Sequence, residues 1–159
     1  MYEFDDFFSK EYEPVVRALT LVFDDRDRAE DLAQYAFARA YRDWRRVAEM
    51  DRPVGWVYVV ATNRGRRELR RARPAAEVAT VPEIADPAAV VATVVTVRAA
   101  LEVLTPRQRA AVVLRYGADL SLVEVASAMD CALGTVKATL HAALGRLRIE
   151  LDEVNDDDT

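Results

Sequence analysis

The chain has 159 residues, a formal net charge of −5 and 52% hydrophobic residues, enough apolar material to build packed cores and to exclude a disordered chain. Its single cysteine excludes an internal disulfide and a cysteine-cluster zinc site, as suits a reducing compartment. No apolar run reaches the roughly 20 residues of a membrane span, and the start Met-Tyr-Glu-Phe-Asp-Asp has neither the basic nor the apolar part of a signal peptide, so a soluble, cytoplasmic protein without membrane insertion is expected.

Phe4, Phe7, Phe8, Tyr12, Val15, Val16, Leu19, Val22 and Phe23 mark a first amphipathic helix, which Pro14 should kink or split. Asp24 and Asp25 can cap a second helix, whose early acids Asp27, Glu30 and Asp31 suit the positive end of the helix dipole. Ala29, Leu32, Ala33, Ala36, Phe37, Ala40, Tyr41, Trp44 and Val47 are its predicted buried face. A loop over residues 48–52 leads to Pro53 as a first helical residue. Residues 55–61 are β-branched and aromatic and read as a strand by propensity, whereas their arginine-rich continuation favours a helix ending near Pro74; periodicity leaves both open.

Residues 74–87 hold three prolines and no aromatic residue, the composition of an extended linker. Asp86-Pro87 should start the next helix, which runs to about Val103 through Val90, Val91, Val94, Val97 and Leu101. Thr105, Pro106 and Gln108 form a capping box with proline at the first helical position, and Gly117 should end that helix. A second capping box, Ser121 with Glu124, opens a short helix with Leu122, Val125, Ala126 and Met129 on its apolar side and Leu120 placed to staple onto Val125. After an Asp130-Cys131 turn, Leu133, Val136, Leu140, Leu144, Leu147 and Leu151 recur at helical spacing, leaving Gly134, Thr135, Ala138, His141 and Ala142 outward. The expected fold is therefore all-α: a helical domain over 1–74, a linker over 75–86, and a four-helix domain over 87–159 containing a helix-turn-helix and an acidic tail. A helix-turn-helix offers the start of its second helix to base edges in the major groove, although pattern alone also allows an ordinary helical hairpin.

Charge is unevenly placed. Residues 53–74 carry Arg64, Arg66, Arg67, Arg70, Arg71 and Arg73 against Glu68 alone, and residues 132–148 carry Lys137, Arg146 and Arg148 with no acid. The acids collect in the first thirteen residues and from Glu150 to Asp158. Two basic stretches in an acidic chain point to DNA contacts at defined places rather than to a strong free-standing DNA binder, because affinity grows with the number of phosphates neutralised.

Four blocks then occur in order: Arg-Ala-Glu-Asp-Leu-Ala-Gln-Tyr-Ala-Phe at 28–37, Pro-Val-Gly-Trp-Val-Tyr-Val-Val-Ala-Thr-Asn-Arg at 53–64, Leu-Thr-Pro-Arg-Gln-Arg-Ala-Ala-Val-Val-Leu-Arg-Tyr at 104–116, and Leu-Ser-Leu-Val-Glu-Val-Ala with Gly-Thr-Val-Lys at 120–126 and 134–137. In this order the chain resembles, over essentially its whole length, the extracytoplasmic-function group of bacterial RNA polymerase sigma factors. The resemblance implies an alternative initiation factor whose partners are core RNA polymerase, promoter DNA and an anti-sigma factor. It places Asp31, Gln34 and Phe37 at the polymerase-docking motif, although early acids need no partner and Phe37 also suits a core. It places Asn63, Arg64, Arg67, Arg70 and Arg71, with the loop residues Glu49, Met50, Asp51 and Arg52, at the minus-ten element, where the loop would choose the base. Trp56 and Tyr58 invite a stacking role, but the apolar surroundings of Trp56 favour the core. Thr135, Lys137, Ala138, Thr139, His141 and Ala142 fall on the helix that would read the minus-thirty-five element. The family usually carries arginine where this chain has Thr139 and Ala142, so weaker or altered reading there is expected.

An enzyme is not expected. The acids around residues 24–31 crowd one helix start without a histidine or a distant carboxylate to complete a metal site, and there is no phosphate-cradling glycine loop and no Ser/His/Asp set. No cofactor is expected; His141, the sole histidine, suits a surface or groove contact and Cys131 a small place in the turn. The competing classes are a stand-alone helix-turn-helix repressor, in which the arginine-rich helix has no task, and a sigma-like adaptor without initiation activity, which Thr139 and Ala142 leave open. The acidic tail reads as a solvated end or as a strand of charge folding back on the recognition helix.

Overall fold

The computed structural model describes residues 3–72 and 91–157, with side chains over 3–72 and 97–149. The expected linker and the Asp86-Pro87 helix start lie outside the described residues. Everything regular in the described part is helical: α1 (Phe4–Phe23), α2 (Arg26–Arg42), the single turn α3 (Trp44–Val47), α4 (Pro53–Ala72), α5 (Val91–Glu102), α6 (Pro106–Val112) continued by a π-helical turn (Val113–Gly117), α7 (Leu122–Met129) and α8 (Leu133–Asp157).

The N-terminal half is built on α1, α2 and α4, which pack pairwise. Pro14 does not split α1, which runs unbroken for 20 residues. The flanking Val15, Val16 and Leu19 are fully buried, and this packing outweighs the one backbone hydrogen bond that proline removes. The helix stops at Asp24, which adopts the left-handed conformation (φ 52°), and Asp25 caps α2 by accepting the Arg28 N–H at 3.0 Å. The second helix is shorter than its sequence suggests. It ends at Arg42; Tyr41, expected inside, lies in its last turn and is 67% exposed, while Trp44 starts α3 and packs partly buried on the core. Residues 55–61, the ambiguous stretch, are helical: Val57, Tyr58 and Ala61 turn inward at helical spacing. Gly65 lets α4 settle against its neighbours, because a Cβ there would overlap the Phe23 ring and lie 2.8 Å from Leu32 Cδ1.

Burial pushes the Tyr58 phenol up to about 12, with Glu11 adding to the shift and Arg17 and Arg52 opposing it. A folded-state pKa raised above the unfolded value of about 10 supplies stability that is complete below pH 10 and fades as pH rises toward 12. Two units correspond to about 2–3 kcal/mol. Unfolding free energy measured across pH 9–12 should therefore fall in the wild type and stay flatter in Tyr58→Phe; parallel curves would show that another group sets the alkaline limit.

In the C-terminal half both capping boxes form, Thr105 with Gln108 and Ser121 with Glu124. Leu120 and Val125, the expected staple, are both fully buried. Gly117 does not terminate α6 as expected. The helix widens into a π turn, and the left-handed residue that ends it is Asp119 (φ 55°), aspartate being among the few side chains that tolerate this region. On α8, Val136, Leu140 and Ala143 point inward, whereas Leu133 and Leu144, expected inside, are 38% and 43% exposed.

The two halves do not stand apart. α1 packs on α6 and the π turn, α4 packs along α7, and one cluster of buried side chains runs through both halves.

Candidate nucleic-acid interface

Three surfaces carry the residues singled out by sequence. On the first, Asp31 and Gln34 project from the outer side of α2 and are exposed. Phe37 is not part of that surface; at 2% exposure its ring packs against Phe7, Phe8 and Tyr12, with centroids 5.6, 5.3 and 5.7 Å away. The neighbouring acids serve the fold: Glu30 pairs with Arg26 at 3.0 Å and Asp24 with Arg98 at 2.7 Å.

The second surface lies between α2 and α4. Asn63, Arg64, Arg67 and Arg71 recur at helical spacing on one side of α4 and line a cleft of about 260 Å³ closed on the other side by Tyr35 and Arg39 of α2. The Arg64 guanidinium lies 3.8 Å from the Tyr35 ring centroid and its Nε donates to Glu68 Oε1 at 3.1 Å. Burial pushes the Tyr35 phenol up, but the hydrogen-bonding and charge of Arg39 and Arg64 outweigh it and leave the pKa below the ordinary 10. The Tyr35 ring thus lies against a guanidinium in an arginine-lined cleft. The arrangement offers phosphates a row of guanidiniums and an unstacked base an aromatic edge beside an amide. Tyr35 and Arg39 were missed by sequence reading. Their signal was weak: both sit on α2 four residues apart, at positions that only the crossing of α4 turns into a wall.

The arginines of α4 divide. Arg64, Arg67 and Arg71 face the cleft, whereas Arg66 turns the other way and donates to the Met129 carbonyl of α7. Burial, and then Arg107 and Arg70, lower its pKa. Arg70 is exposed outside the cleft lining. Of the loop residues, Asp51 is exposed, Met50 half-buried, and Arg52 is turned onto the C-terminal half. Trp56 is half-buried on the core with the Arg46 guanidinium 5.9 Å from its ring.

The third surface is the start of α8. Gly134, Thr135, Lys137, Ala138, His141 and Ala142 are all exposed along one side of the helix that follows the Asp130 turn (φ 50°). Thr139 is half-buried and its hydroxyl donates back to the Thr135 carbonyl at 2.7 Å. Among these side chains Lys137 is the sole fixed cation, so the face offers phosphates few anchors. Half-buried Cys131 sits in the turn. Among the described residues no group of His, Cys, Asp and Glu is placed to hold a metal, and no helix is long and apolar enough to cross a membrane.

Comparison with known proteins gives the family. Residues 7–74 match the model of sigma-70 region 2 and residues 100–148 that of sigma-70 region 4. The RNA polymerase sigma-E factor of Streptomyces coelicolor is 36% identical over 153 residues, covering 94% of this chain and 86% of the relative. The ECF RNA polymerase sigma factor SigM of Mycobacterium tuberculosis is 31% identical over 156 residues, covering 97% and 80%. In structure, the sigma factor RpoE of Bartonella quintana, solved in complex with the anti-sigma factor NepR, superposes with a TM-score of 0.75 at 21% identity over 94% of this chain and 96% of that one. The chain belongs to the extracytoplasmic-function group of the sigma-70 factors and is an alternative sigma factor of RNA polymerase.

Proposed function

We propose that the chain binds core RNA polymerase through the exposed Asp31 and Gln34 side of α2, opens and reads the minus-ten region in the α2–α4 cleft, and reads the minus-thirty-five region with the start of α8. The observation that carries this reading is the cleft: guanidiniums, a tyrosine and Asn63 converge on one side of α4, and a repressor would have no use for them. Phe37 supports the polymerase face from beneath, as a core residue. An anti-sigma factor is the expected regulator, and the cytoplasm the expected place of action. The chemistry is binding and strand separation, with no bond made or broken by this protein.

In-vitro transcription with purified core polymerase on a pool of promoter-length fragments tests the proposal. Discrete starts sharing a two-part upstream motif are expected. Polymerase binding without discrete starts would favour an adaptor that has lost promoter reading, and no polymerase binding would sink the proposal.

Thr139 and Ala142 favour weak reading of the upstream element. Ala142 is exposed on the reading face, so an arginine there meets no packing obstacle and adds one phosphate or guanine contact. We expect Ala142→Arg to tighten binding of upstream duplex by roughly tenfold and to steepen the salt dependence by about 0.9 in log–log slope. An unchanged slope would show that position 142 does not face DNA.

A further inference from the structure

The loop expected to choose a promoter base does not line the α2–α4 cleft. Arg52 spends its donors on Glu124 Oε1 at 3.3 Å and on the Ala118 and Asp119 carbonyls, and Met50 is half-buried. The exposed loop side chains Glu49 and Asp51 are carboxylates, which repel a phosphate strand. What closes the cleft is α2. Tyr35 and Arg39, one helical turn apart, form a wall opposite Asn63, Arg64 and Arg67, and Val60 supplies apolar surface between them. At about 260 Å³ the space falls below the roughly 300–1,000 Å³ of small-molecule pockets, so it admits a single base and no stacked pair.

The Tyr35 phenol is hydrogen-bonded to Arg39 and Arg64 together, which fixes guanidiniums from two different helices at one point. The Arg39 guanidinium lies 5.9 Å from the ring centroid, and its Nε is buried without an acceptor. A buried donor with no acceptor is unfavourable, and an occupant toward which Arg39 can turn relieves it. The groups that meet an occupant are mostly donors. Four guanidiniums carry no acceptor at all, and the one carboxylate, Glu68, is taken by Arg64 at 3.1 Å. Such a wall separates bases by their edges. Guanine presents two adjacent acceptors at N7 and O6, and cytosine does so at N3 and O2, each matched to a guanidinium fork. Adenine sets its N6 donor beside N7 and N1, and thymine sets N3–H between O4 and O2, so neither offers such a pair.

We propose that Tyr35 and Arg39 of α2 choose the base that enters the cleft: Arg39 reads the acceptor pair of a guanine or a cytosine, and Tyr35 is the positioning residue that holds Arg39 and Arg64 around it. The inference rests on the reading of the cleft as a strand site, and it moves the origin of base choice from the loop over residues 49–52 to the second helix.

Strand binding by the full chain tests this, with short thymine strands that carry one central guest base. The parent should bind strands with central guanine or cytosine about tenfold more tightly than those with adenine or thymine. Arg39→Lys keeps the charge but loses the planar fork, and Tyr35→Phe keeps the ring but loses the oxygen that orients it. Each should bring the four strands within about twofold of one another while leaving affinity for the all-thymine strand near that of the parent. Met50→Leu and Asp51→Asn in the loop should keep the parent's preference. Equal binding of the four strands by the parent, a preference for adenine or thymine, or a preference that survives in both α2 variants would overturn the proposal. So would its loss in the loop variants alone, or an equal drop in affinity for all four strands in both α2 variants, which would mark Tyr35 and Arg39 as phosphate contacts or structural residues. With polymerase, discrete starts whose minus-ten motif holds no fixed guanine or cytosine would also overturn it. A guest-base preference in a chain that gives no discrete starts would leave the α2 wall standing and count instead against promoter reading.

Discussion

Replacing Arg64 and Arg67 together with alanine should lower open-complex formation by polymerase carrying this factor by roughly a hundredfold, with polymerase binding unchanged. The two guanidiniums line the same cleft, and a charge-assisted contact at a partly exposed site contributes about 1–1.5 kcal/mol, or about tenfold for each. Arg64→Ala also uncovers the Tyr35 ring and leaves Glu68 without its partner at 3.1 Å, which places an unopposed carboxylate beside the strand. The salt dependence of single-strand binding should flatten by about 1.4 in log–log slope for two lost phosphate contacts. Arg70→Ala is the internal comparison. Arg70 is also exposed and carries the same charge but lies outside the cleft, so its loss should cost far less. Equal effects from the cleft arginines and Arg70 would mean that only net charge matters and that the cleft is not a site.

Phe37→Ala should remove about 3–5 kcal/mol of stability, the cost of deleting a fully buried aromatic ring and leaving its cavity. Against a total of about 5–15 kcal/mol this is enough to leave the N-terminal half marginal. The ring meets three aromatic neighbours from α1, so the void cannot be filled by a small movement of one side chain. Urea unfolding should show an earlier midpoint with little change in slope. Phe37→Leu should restore much of the stability and, with it, polymerase binding. If Phe37→Leu folded normally yet failed to bind polymerase, the ring would be a contact residue after all.

The helical faces of this protein were legible because burial follows the 3.6-residue period: the apolar positions of α1, α2 and α7 mostly lie where their spacing puts them, and both capping boxes form as their residue types predict. What failed did so at helix ends and across helices. Trp44 continued the apolar pattern of α2 past the point where the chain turns, Tyr41 in its last turn faces outward, and Asp119 instead of Gly117 took the left-handed position because the π turn shifted the end of the helix by two residues. The strand-like run at 55–61 is helical because its inward positions find α1 and α2, a fact of tertiary packing that propensity cannot contain. The site shows the same limit. Four arginines were assigned to one DNA-facing row, but a period gives a face without naming its neighbour, so the cleft partners Tyr35 and Arg39, the divergence of Arg66 and the capture of Arg52 by the other half were invisible.

Three of the four acceptors that Arg52 and Arg66 use on the C-terminal half are main-chain oxygens, those of Ala118, Asp119 and Met129. Every amino acid supplies that oxygen, so substitutions on the α7 side leave most of the acceptor set in place as long as the backbone keeps its path. The mutational sensitivity of the contact is therefore lopsided. A single change at Arg52 or Arg66 removes a donor outright, whereas the helix-turn-helix side can drift in sequence, and so in the DNA it prefers, with its hold on the first half largely preserved.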